Sequence, residues 1–210
     1  MEIAVFTQNS IRLRTKEMTI YVDPFSMREE PKDADYILVT HEHYDHFSPE
    51  DIAKVSSGSS VMVVPESMEK KAMEAKELVG RIITVVPKES YEMEGFRLET
   101  VPAYNPLKPF HPKGKNWVGY VIEADGERVY VAGDTDDTKE AKEVRCDIAL
   151  VPIGGTYTMD VKKAAELISV IRPKLAIPTH YRQGIGSEKA GEEFARLVPS
   201  DVKVEILKQY

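Results

Sequence analysis

The sequence predicts an α/β fold, with sheets stacked as a sandwich and helices on the outside. Tyr36-Ile37-Leu38-Val39 and Ile148-Ala149-Leu150-Val151 are unbroken apolar runs, the pattern of strands buried on both faces. Val161, Ala164, Ala165, Ile168 and Ile171 form one apolar stripe at helical spacing, stopped by Pro173. Short runs rich in β-branched residues, each close to a polar turn, fill much of the remainder. With 42% hydrophobic and 30% charged residues, 210 residues suffice for one soluble domain, 1–210, with a full core.

Residues 3–6 and 18–22 read as strands of a hairpin or meander, the second stopped by Asp23-Pro24. The strand at 36–39 runs into Thr40-His41-Glu42-His43-Tyr44-Asp45-His46, and a helix is expected just beyond. There Ser48 is a good N-cap, Pro49 suits the first helical position, and Glu50 and Asp51 suit the positive end of the dipole. Residues 61–64 predict a strand, 66–79 a helix closed by Gly80, and 82–86 another strand. Strands are expected at 96–101, 117–122 and 129–132, the last two joined across a turn at Asp125-Gly126. After the strand at 148–151 and the helix at 161–171 come a strand at 175–177, a helix near 187–197 and a last strand at 202–207.

Composition excludes several classes of function. No apolar run approaches the ~20 residues of a membrane span, and the N-terminus lacks the basic and apolar regions of a secretory leader. One cysteine, Cys146, rules out a disulfide framework or a multi-thiolate zinc site, and its place before an apolar strand reads as a small buried hydrophobe. A net charge of −7 argues against nucleic-acid or anionic-membrane partners. The expectation is a reduced, cytoplasmic protein acting on a small molecule, with a homo-oligomer left open.

Three of the five histidines, His41, His43 and His46, fall within six residues, with Asp45 between the last two. In an extended segment His41, His43 and Asp45 share one face and His46 takes the other. A chain that turns after Asp45 then offers ligands to two adjacent metal ions. The spacing is wrong for a helical HExxH zinc protease.

His41-x-His43-x-Asp45-His46 resembles the HxHxDH signature of the metallo-β-lactamase superfamily. Other segments follow in that family's order: Asp23 after an early strand, Gly133-Asp134-Thr135, and Pro178-Thr179-His180-Tyr181. The phrase Pro152-Ile153-Gly154-Gly155-Thr156-Tyr157-Thr158-Met159 resembles the small hydrolase branch related to the ascorbate-phosphate lactonases. The resemblance implies a four-layer αβ/βα sandwich of two mixed sheets and two divalent metal ions. Zinc suits the imidazoles, with manganese or iron as alternatives. It assigns His41, His43 and a third histidine to one ion, and Asp45, His46 and His180 to the other. Asp134 bridges them and Asp23 orients a ligand histidine. A hydroxide held between the ions would cleave a lactone, ester or phosphodiester, with Asp45 also shuttling the proton. The family's third histidine is missing: its place reads Ala103-Tyr104-Asn105, and either His111 or Asn105 takes over. The alternative function is a metal-binding but catalytically idle protein.

Two loops are expected around the substrate. Residues 104–116 hold Lys108, Lys113, Lys115 and His111, and are stiffened by Pro106, Pro109 and Pro112. They read as a basic flap that draws in an anion. Gly154 to Met159 read as a substrate wall, with Asp160 free to cap the next helix. Asn105, Lys108 and Tyr157 are the candidate substrate-binding residues.

Overall fold

Both sheets of the chain begin antiparallel and end parallel. The computed structural model describes residues 1–182 and 184–207 and divides into two units, Met1–Val86 and Pro87–Leu207.

In the first unit β1 (Glu2–Val5), β2 (Ile11–Arg14) and β3 (Thr19–Val22) form an antiparallel meander. β4 (Ala34–Leu38), β5 (Ser56–Pro65) and β6 (Arg81–Val85) continue the six-stranded sheet in parallel. Parallel neighbours need a crossover. α1 (Pro49–Val55) supplies the one from β4 to β5, and its start is as expected: the Ser48 hydroxyl accepts from the Asp51 N–H and Pro49 opens the helix. Tyr21, Ile37, Met62 and Val64 on one face of the sheet pack with Ile52 and Val55 of α1, and with Met68, Ala72 and Ala75. Ile20, Val22, Leu38 and Val63, of the opposite parity, are fully buried as well. These central strands are therefore apolar on both faces.

The second unit repeats the plan with seven strands. β7 (Ser90–Met93), β8 (Phe96–Pro102), β9 (Val118–Ala124) and β10 (Glu127–Val131) are antiparallel. β11 (Ile148–Pro152), β12 (Leu175–Thr179) and β13 (Lys203–Val204) follow in parallel. Asp125 and Gly126 both take positive φ, the left-handed pair that a tight β9–β10 hairpin requires. The crossovers carry α3 (Lys139–Lys142), α4 (Val161–Ile171) and α5 (Ala190–Leu197). α4 has its expected bounds, with the Asp160 carboxylate accepting from the Lys163 N–H and a left-handed Arg172 ending it before Pro173. Its stripe of Ala164, Ala165, Leu167, Ile168 and Ile171 is buried with Phe194 of α5.

Three expectations change. Residues 66–79 are not one helix but a 3-10 turn (Glu66–Met68), a single α turn (α2, Glu69–Ala72) and a second 3-10 turn (Met73–Leu78). No side chain caps any of the three, so nothing ties down a regular first turn; burial of Met68, Ala72 and Ala75 holds the segment, with the Ser56 hydroxyl donating to the Leu78 carbonyl. β2, β7 and α3 were absent from the sequence reading; each is only four residues long. The last strand is limited to Lys203–Val204, against the expected 202–207.

Candidate metal centre

In the first unit the parallel pairing of β3 with β4 brings Asp23 and the histidine segment to the same sheet end. Asp23 follows β3 in a left-handed conformation, φ +46°, and is fully buried. Its carboxylate accepts from the Thr40 N–H at 2.7 Å, the Thr40 hydroxyl at 2.6 Å, the Asn9 amide at 2.8 Å and His46 Nδ1 at 2.7 Å. The last bond assigns the His46 proton to Nδ1 and leaves Nε2 as the lone-pair nitrogen. Thr40, having given its one proton to Asp23, accepts from His41 Nδ1 at 3.0 Å, which likewise leaves His41 Nε2 unprotonated. His41 Nε2 lies 3.0 Å from His43 Nδ1, and His46 Nε2 lies 3.6 Å from Asp45 Oδ2.

The expected alternation of faces does not orient these residues. The chain turns earlier, with the N–H groups of His46 and Phe47 both donating to the His43 carbonyl. A turn gathers residues close in sequence more tightly than a strand would, and the His41 and His46 ring centroids come within 3.9 Å. Thr40 was not singled out in the sequence. Its signal was its place between a buried strand and the first histidine.

In the second unit β8 and β10 are both antiparallel to β9, and β10, β11 and β12 run parallel. The segments after β8, β10, β11 and β12 therefore leave from one end of the sheet. Gly133 turns with φ +64° and presents Asp134; His180 follows β12 directly at φ +54°. A non-glycine residue in the left-handed region marks a constrained site. Asp134, His111 and His180 are all buried. Asp134 Oδ2 lies 3.2 Å from His111 Nε2, and Oδ1 lies 3.3 Å from His180 Nε2. Each carboxylate oxygen thus faces a different imidazole. Between the two residues open for the family's missing histidine, His111 is the one beside Asp134.

Asn105 is buried and used within the chain. Its amide donates to the Tyr157 carbonyl at 3.2 Å, its side-chain oxygen accepts from the Lys108 N–H, and its own N–H donates to the His111 carbonyl. Lys108 Nζ donates to the carbonyls of Gly155 and Thr158, and Lys113 Nζ to Glu140 at 3.1 Å. Lys108 and Lys113, two of the cations expected of a basic flap, thus meet partners within the chain. Tyr157 sits at the loop surface, its ring edge-on to Phe110 at 4.9 Å. Gly154 has a steric reason: a Cβ there would lie 2.4 Å from the His180 carbonyl oxygen. Burial pushes the Cys146 thiol up to about 12, with the Asp147 charge adding to it, so it is no nucleophile at neutral pH.

Neutral imidazole nitrogens and carboxylate oxygens are the donors that divalent transition metals take. For metal–nitrogen bonds of 2.0–2.1 Å, two ligand atoms on a tetrahedral ion stand about 3.3 Å apart. The His41–His43, His111–Asp134 and His180–Asp134 separations of 3.0, 3.2 and 3.3 Å match that edge. The residues of each unit fit a metal-binding role. The family model for a beta-lactamase superfamily domain matches residues 2–180. The UPF0173 metal-dependent hydrolase of Pyrococcus abyssi is 33% identical over 205 residues, covering 90% of this chain and 88% of its own. That of Thermoplasma acidophilum is 36% identical over 177 residues, 77% of this chain and 75% of its own. A solved structure from Parabacteroides distasonis, named a metal-dependent hydrolase, superposes with a TM-score of 0.82 at 30% identity, covering 99% of this chain and 93% of that one. With its histidine and aspartate donors, its two mixed sheets and these relatives, the chain belongs to the metallo-β-lactamase superfamily, among its metal-dependent hydrolases.

Proposed function

We propose that the 210 residues act as one hydrolase domain with a binuclear metal centre that cleaves a lactone, ester or phosphodiester. The observation that carries this reading is the division of Asp134 between His111 and His180, one oxygen to each, as a bridging carboxylate requires. In this reading His41, His43 and His111 hold one ion, and Asp45, His46 and His180 the other. Zinc suits the imidazole-rich set. Bound ions supply Lewis-acid polarisation of the scissile oxygen and acidify a water to near-neutral pKa. Asp23 and Thr40 keep His46 and His41 in the tautomers that leave Nε2 for ligation. Asp45 carries the proton from the attacking water to the leaving group. An anionic substrate suits the cationic centre itself, since Lys108 and Lys113 are engaged elsewhere. The reduced cytoplasm suits a chain with one half-buried thiol.

Elemental analysis tests the reading. The wild type should carry close to two transition-metal ions per chain, His46→Ala or His180→Ala close to one, and Asp134→Ala fewer than either. His111→Ala should lose metal as a ligand variant does. A loaded protein with two ions that turns over no p-nitrophenyl ester, γ-lactone or bis-p-nitrophenyl phosphate would favour the idle metal-binding reading. A wild type that takes up no metal ends both.

A further inference from the structure

In the second unit the segment 104–111 and the loop 153–159 are tied to the strand ends that carry Asp134 and His180. The Tyr104 N–H donates to Thr135 Oγ1, the Asp136 N–H to the Tyr104 carbonyl, and the Met159 N–H to the Thr135 carbonyl. The Ile153 N–H donates to the Thr179 carbonyl. The two loops are tied to each other as well, through the Asn105 amide and the Lys108 ammonium. These polar side chains point inward, and the side chains left outward are apolar apart from the exposed Thr156. Leu107 is 84% exposed, Phe110 47% and Tyr157 37%, with Phe110 and Tyr157 in edge-to-face contact. Phe110 is the residue before His111. An apolar cluster on restrained loops next to ligand-type residues is how a small-molecule site recognises an apolar group. The first unit has an exposed ring of its own within its histidine segment, Tyr44, 77% exposed and edge-on to Phe25.

We propose that Leu107, Phe110 and Tyr157 form an apolar lip that selects substrates with an aliphatic or aromatic acyl group, so that the natural substrate is an amphipathic ester or lactone. This rests on the hydrolase reading above and deepens it from a bond type to a substrate class. The lip removes part of each methylene from water. At about half of the ~0.8 kcal/mol per buried methylene, four added methylenes raise selectivity about tenfold.

The test compares p-nitrophenyl acetate with p-nitrophenyl hexanoate on the metal-loaded protein, together with the affinities of acetate and hexanoate by calorimetry. The wild type should favour the hexanoyl ester about tenfold in kcat/KM and bind hexanoate more tightly than acetate. Phe110→Ala and Leu107→Ser should lose most of both preferences at unchanged metal content, and Tyr157→Phe, which keeps the ring, should keep both preferences. Equal kcat/KM for the two esters in the wild type, or a preference that survives in both Phe110→Ala and Leu107→Ser, overturns the lip. If the loaded protein cleaves neither ester, the hydrolase reading loses its ester class. The hexanoate-to-acetate affinity ratio then decides the lip alone, and a ratio of one overturns it.

Discussion

Asp23 is the residue on which the histidine segment depends, because one buried carboxylate satisfies four donors and fixes a ring tautomer. Replacing it by asparagine keeps the shape but puts an amide where a charge accepted the His46 proton. Loss of such an orienting partner typically costs 10–100-fold in metal affinity. Asp23→Asn should therefore weaken binding of the His46 ion by about that factor in competition with a chromophoric chelator. In the proposed binuclear centre the second ion should be affected less, since His41 bonds to Thr40. Unchanged affinity for both ions would show that Asp23 only braces the loop. In the sequence, Asp23 before Pro24 is as good a turn residue as an orienting carboxylate. What separates the readings is its contact with Thr40, His46 and Asn9, residues 14 to 23 positions away that only the paired strands bring together.

At the scale of elements, the 104–116 segment is held by Glu140 of α3. Its carboxylate accepts from Tyr104 Oη at 2.9 Å, Lys113 at 3.1 Å and Lys88 at 3.2 Å. Burial works to raise the Glu140 carboxyl, but its own backbone N–H and the Lys113, Tyr104 and Lys88 donors outweigh it and hold it at about 2. A depressed folded-state value contributes stability that is fully present above the ordinary 4.5 and is lost as pH falls toward about 2. Glu140→Gln should thus cost on the order of 1–3 kcal/mol in denaturant unfolding at pH 7, and the gap to wild type should shrink between pH 4.5 and 2. A gap independent of pH would mean the loss is one of packing. The sequence shows a segment rich in proline and lysine. It assigned the lysines to the substrate because it could not see Glu140 or the carbonyls of Gly155 and Thr158 that they meet.

For the whole molecule, ions that bind only the native state stabilise it by mass action, about 4 kcal/mol per site at a thousand times Kd. For a chain of this length each kcal/mol moves Tm by roughly 2–4 °C, so stripping one such site should lower Tm by roughly 8–16 °C. Calorimetry with and without chelator checks this. A single transition that moves as one supports one domain over 1–210, and two transitions of which only one moves would separate Met1–Val86 from Pro87–Leu207. The sequence alone determined the long apolar strands, the capped helices α1 and α4 and the hairpin at Asp125-Gly126, and it singled out the candidate donor residues. Each of these is written in neighbouring residues, by periodicity, capping chemistry or local spacing. It did not determine the four-residue strands β2 and β7, the turn that begins at His43, the placing of His111 beside Asp134, or the apolar outward face of the 104–111 segment. Those depend on contacts between residues far apart in the chain. A buried carboxylate or a surface lysine is given its partner by the strand register and the loop closure, and local propensity holds no record of either.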